Sequence, residues 1–181
     1  GATENTLEMA QKGALLIVDG RYFGGILPLL TSMFMHFDIH HIGGNLLMLL
    51  VVGDMLEERL GAVRVILIYL VTGLAGNGIS ILWYGWMGDT VVSAGASGAI
   101  YGLLGALFCL MIRSRGSVPG FSRERMLLTV FLMLYSGVVS AGINLAAHIG
   151  GFLAGILMGF LFVKAWKTGK KKGGRGAFSG F

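Results

Sequence analysis

Hydrophobic runs about as long as a bilayer is thick dominate the chain, and polar residues interrupt them at only a few places. A spanning helix needs roughly 20 consecutive apolar residues. Five stretches come near that length, at approximately 38–57, 63–84, 94–112, 126–144 and 146–165. The third and fourth are clean, since residues 90–112 and 126–147 contain no Asp, Glu, Lys or Arg. The first carries His40, His41, Asn45 and Asp54, and hydropathy alone rates it weakest. The pattern predicts an all-α fold, a polytopic membrane helix bundle with its core over residues 38–165. Residues 1–37 are mixed, with apolar runs at Ala14–Val18 and Gly25–Leu30 and turn signals at Asp19-Gly20 and Gly24-Gly25. They read as an external loop lying partly in the interfacial region. Residues 166–181, rich in Gly and Lys, read as a disordered basic tail.

Composition supports a membrane protein. Apolar residues make up 55% of the chain, charged residues 13%, and mean hydropathy is +0.77, so a water-soluble fold would lack polar surface. The net charge of +5 gathers at the C-terminal end, in Lys164, Lys167, Lys170, Lys171, Lys172 and Arg175. A nucleic-acid patch is one reading; beside a spanning helix, a juxtamembrane flank facing an anionic cytoplasmic leaflet is the better one. Arg113, Arg115, Arg123 and Arg125 crowd the loop before the fourth run. With both basic flanks inside, spans one, three and five all run from outside to inside. Residue 1 then lies outside, the chain starts at Gly1, and no cleavable signal pattern follows, so an additional upstream helix is expected. The single cysteine, Cys109, reads as a packing residue.

Polar residues recur at one depth in the three parallel spans. His41, Ser97 and His148 each stand sixteen positions before the charge that ends the run: Glu57, Arg113 and Lys164. At ~1.5 Å per residue the offset is roughly 24 Å in each case. The three side chains therefore share a level near the outer face. Polar groups in lipid are costly and point to function.

Ser97 opens its span after the small residues of 93–96. A serine there caps helices; the same place supplies free backbone N–H groups suited to an oxyanion. Position 99 is Ala and no strand is expected before the serine, so this is not the nucleophile elbow of soluble hydrolases. Ser97 needs a base, and His148 has the right depth; its plain alternative is a histidine bonded to a backbone carbonyl. Gly151, Gly155 and Gly159 form a stripe that permits close helix approach, and Gly98, Gly102 and Ala106 form its counterpart. Gly95 and Gly98 flank the serine and let a substrate backbone come near. Tyr101, one turn below Ser97, either supports the imidazole or is a core aromatic. No helical carboxylate shares the level of His148, which favours a Ser–His dyad over a triad. His41 and Asn45 are i and i+4 on one face, and their N–H groups can join that of Ser97 around an oxyanion. His36 and His40 invite a metal reading, but no carboxylate or thiol completes a ligand set, so neither metal nor cofactor is expected. Glu57 and Arg59, at the far end of the first span, read as structural.

These motifs resemble those of the rhomboid intramembrane serine proteases. The likeness runs from about residue 13 to 165 and rests on His-x-x-x-Asn at 41–45, Glu-x-Arg at 57–59 followed by Leu60-Gly61, Gly-Ala-Ser-Gly at 95–98 with Tyr101, and Ala-His-x-Gly-Gly at 147–151. The resemblance implies a bundle in which Ser97 is nucleophile, His148 general base, and His41 and Asn45 line the oxyanion hole. It implies six core helices in the bacterial type, the first of them missing ahead of the five read here. It also implies single-span membrane substrates entering between spans one and four, cut near their outer ends, in a bacterial inner membrane with the C-terminus cytoplasmic. The glycines at 137 and 142 suggest that Ser136–Ile143 covers the site. Two other classes compete: an inactive relative that binds or escorts membrane proteins, and a small channel or transporter. The inactive class usually lacks the serine or histidine, and a channel would place polar residues nearer the midplane.

Overall fold

The computed structural model describes residues 2–113, 122, 124–125, 127–131, 135 and 143–173. The helix expected at 126–144 and the cover expected at Ser136–Ile143 lie largely outside the described residues. The long helices are α3 (Ile39–Leu60), α4 (Ala62–Met87), α5 (Ser97–Arg113) and α6 (Leu145–Gly173), preceded by α1 (Ala2–Gln11) and the short α2 (Leu27–Thr31). Among the described residues, three helices are long and apolar enough to cross a membrane: Ile39–Leu60, Ala62–Met87 and Leu145–Phe162. Helix α5 is shorter, 17 residues, and sits at the centre of the bundle.

Burial explains the central place of α5. Almost every side chain from Gly98 to Met111 is buried, with Ile100, Leu103, Leu104 and Leu107 fully so. Val52, Leu56 and Leu60 of α3 and Val65 and Ile68 of α4 join Leu103, Leu104 and Leu107 in one apolar cluster. By contrast, Leu46, Leu47 and Leu50 of α3 and Leu153, Leu157 and Leu161 of α6 are exposed. Apolar side chains directed outward suit a hydrocarbon solvent, and a bilayer provides it.

The contact between α5 and α6 depends on absent side chains. A Cβ on Gly151 would collide with the carbonyl oxygen of Gly98, one on Gly155 with that of Gly102, and one on Gly159 with the Cys109 Cβ while pressing on the backbone of Ala106. Each pair is separated by the same 53 positions (98 to 151, 102 to 155, 106 to 159). A constant offset means that the two helices run in the same direction, as the depth argument required. The small-residue stripes are thus the seam itself.

The segment before α3 supplies two strands of a sheet that hydropathy did not anticipate. Strands β1 (Leu15–Val18), β2 (Arg21–Phe23) and β3 (Val91–Ser93) form an antiparallel sheet in the order β2-β1-β3. Asp19 and Gly20 both have positive φ, 47° and 73°, which is the two-residue turn that an Asp-Gly pair favours between antiparallel strands. Leu15 and Ile17 are buried while Leu16 and Val18 are half-buried, the alternation of a strand with one face inward. Leu15 lies opposite Ser93 and Ile17 opposite Val91, so the sheet grips the chain just ahead of Ser97. At the other end, α6 continues to Gly173, into the basic segment expected to be disordered.

Candidate active site

Gly95 has φ of +140°, a conformation that disfavours other residues. Its N–H donates to the Ser32 carbonyl at 2.8 Å, and the Ala96 N–H reaches the Nε2 of His36 at 3.5 Å. The first helical bond of α5 runs from the Ile100 N–H to the Ala96 carbonyl at 3.0 Å. Ser97 is therefore the first helical residue rather than the cap, and its hydroxyl points elsewhere.

It points to His148. The Ser97 Oγ and the His148 Nε2 are 2.8 Å apart, across two different helices. The imidazole is 6% exposed and lies against the Tyr101 ring, with centroids 4.1 Å apart and planes at 12°. That stack restrains ring tilt and leaves the in-plane nitrogen facing the hydroxyl. His148 Nδ1 is buried with no hydrogen-bond partner among the described residues, so no carboxylate orients it.

His41 and Asn45 stand on the opposite wall. Asp38 caps α3 by accepting the His41 N–H at 2.9 Å, which fixes the first turn. The His41 ring stacks on Phe37 at 6.1 Å and meets His36 edge-on at 5.0 Å. A Cβ built on Gly95 would lie 2.9 Å from His41 Nε2 and 3.6 Å from Ser97 Oγ. Glycine at 95 thus holds open the space between imidazole and hydroxyl. The Asn45 Nδ2 is buried without a partner among the described residues, an idle donor in a site lined by polar groups. His41, Asn45, Gly95, Ser97, Tyr101 and His148 border a single cavity of about 920 Å³. Burial, with the neighbouring His41, holds the His36 imidazole below the usual histidine range, so its Nε2 is free to accept.

Glu57 and Arg59 are remote from this cavity. Glu57 is exposed and Arg59 half-buried, and neither side chain makes an ion pair or hydrogen bond among the described residues. Three polar residues near the site were missed, and His36 was weighed only as a metal ligand. Asn77 donates to the Leu29 carbonyl at 2.8 Å and to Ser32 at 3.0 Å, tying the segment before α3 to α4. Ser93 and Asn144 bond each other; Asn144, standing just before an apolar run, carried an N-cap signature that was legible.

Long apolar helices around a part-buried hydroxyl–imidazole contact define a polytopic membrane protein. Residues 24–165 match the Rhomboid domain, and the chain belongs to the rhomboid family. It is 29% identical over 161 residues to RHOMBOID-like protein 1 of Arabidopsis thaliana, covering 88% of this chain and 40% of that protein. It is 35% identical over 168 residues to RHOMBOID-like protein 7 of the same plant, covering 90% and 50%. Against the rhomboid protease GluP of Bacillus subtilis it is 32% identical over 153 residues, covering 84% and 28%. The chain thus spans half or less of the length of these relatives.

Proposed function

We propose that this chain is an intramembrane serine endopeptidase acting through a Ser97–His148 dyad. The observation that carries the reading is the 2.8 Å contact between a nucleophile and a base held on separate helices. Neutral His148, with its proton on Nδ1, takes the Ser97 proton on Nε2 as Oγ bonds to the scissile carbonyl carbon. The oxygen of that carbonyl becomes anionic and is met by the Ser97 N–H, the idle Asn45 amide and His41. Collapse of the intermediate breaks the C–N bond, and Nε2–H hands its proton to the leaving amine. Water then repeats the sequence on the acyl-enzyme, with His148 again as base, and frees the carboxylate product and the serine.

The substrates are single-span membrane proteins, cut near their outer ends, with the C-terminus of this chain cytoplasmic. A peptide bond inside a hydrogen-bonded helix is shielded from attack, so the scissile segment must unwind. Purified protein reconstituted with a single-span reporter tests the reading. Parent protein should yield two fragments, and Ser97→Ala and His148→Ala none. Equal cleavage by all three would reject it.

A further inference from the structure

We infer that Asn144 is a positioning residue that locks the two halves of the Ser97–His148 pair in axial register; the inference rests on the catalytic reading above. Asn144 stands four positions before His148, and Ser93 stands four before Ser97. The Asn144 amide donates to Ser93 Oγ at 2.9 Å and to Ser80 Oγ at 2.6 Å. Its Oδ1 accepts the Ala147 N–H at 2.9 Å, and its backbone carbonyl accepts the His148 N–H at 3.3 Å. Both amide hydrogens and the oxygen of this one side chain are used. It therefore joins α4, through the fully buried Ser80, to the end of β3 and to the first turn of α6.

Glycine seams explain why such a joint is needed. The contacts of Gly98 with Gly151 and of Gly102 with Gly155 set how closely α5 and α6 approach. Smooth backbone surfaces resist sliding along the helix axes only weakly, because dispersion is not directional. Hydrogen bonds are directional. Those of Asn144 lie about 6 Å along α6 from the imidazole, close enough for a shift there to reach it undiminished.

The test compares parent, Ser97→Ala, Ser93→Ala, Ser93→Thr, Asn144→Ala and the Ser93→Ala/Asn144→Ala pair on the full chain. Fluorophosphonate labelling gives a rate and an end point, reporter cleavage gives kcat and KM, and amide exchange follows Ala147 and His148. Asn144→Ala and Ser93→Ala should each slow labelling about tenfold or more, since small misplacements of reacting groups are costly. The end point and KM should stay at parental values, Ser93→Thr should recover the rate, and the pair should be no slower than Asn144→Ala alone. Exchange at Ala147 and His148 should quicken in Asn144→Ala. Labelling within about twofold of parent, effects that simply multiply, or a lowered end point at an unchanged rate would overturn the inference. Labelling of Ser97→Ala equal to parent would instead defeat the catalytic reading. The exchange data judge the joint separately, and unchanged exchange at Ala147 and His148 in Asn144→Ala would overturn it.

Discussion

Replacing Gly151 with Ala inserts one methyl group into a tight part of the helix seam, one turn from His148. Its Cβ would overlap the Gly98 carbonyl oxygen, which is backbone and cannot swing aside. A carbon–oxygen contact relaxes only at about 3.3–3.6 Å, so α5 and α6 must part by on the order of 1 Å. Adding about 1 Å to the 2.8 Å between Nε2 and Oγ takes the pair outside hydrogen-bond range. A misplacement of that size is worth about 10²-fold in rate, and the overpacking itself destabilises by about 1–3 kcal/mol. Gly151→Ala should therefore lose about 10²-fold in kcat in proteoliposomes, with a lowered Tm. Gly78→Ala is the control, because a Cβ there meets nothing within 4 Å; it should keep parental activity and gain roughly 0.5–1 kcal/mol from helix propensity. Parental turnover in Gly151→Ala would refute the idea that the glycine seam sets the hydroxyl–imidazole distance.

Other substitutions address separate parts of the site. Asn45→Ala should reduce kcat by about 10²–10³-fold with little change in KM, the signature of a lost oxyanion donor; a raised KM at constant kcat would contradict that role. Tyr101→Leu removes the ring under His148 and should slow fluorophosphonate labelling by about tenfold, whereas Tyr101→Phe, which keeps the stack, should lose less. Acid should weaken the fold through His36. Its folded pKa lies below the usual histidine value, so the unfolded chain binds the proton first, and stability present above about pH 6.5 falls as pH drops from there toward the folded pKa. His36→Phe should flatten this part of the Tm–pH curve. Asp38→Ala should lower Tm and slow the reaction by loosening the first turn of α3, and Asp38→Asn, which can still cap, should recover both.

Much of the candidate site was legible because polar groups are expensive where it lies. Ser97, His41 and His148 stood out as polar groups in apolar runs, and equal spacing to the next charge put them at one depth. The glycine stripes were equally readable, since a period of four small residues has a direct meaning for helix approach. The sheet was hidden because Ala14–Val18 is too short to tell a strand from a membrane-surface segment by hydropathy. Its partner β3 is three residues long and more than seventy positions away, so only pairing reveals it. His36 and Asn77 escaped for a different reason. Each bonds to backbone of a distant segment, and no local pattern encodes that.

The most direct test of the central claim is where a fluorophosphonate attaches. If Ser97 is activated by His148, mass spectrometry of the labelled protein will find a single phosphonyl adduct on Ser97, absent after His148→Ala in protein that retains the parental Tm. An adduct on another residue, or one on Ser97 that persists without His148, would contradict the proposed dyad.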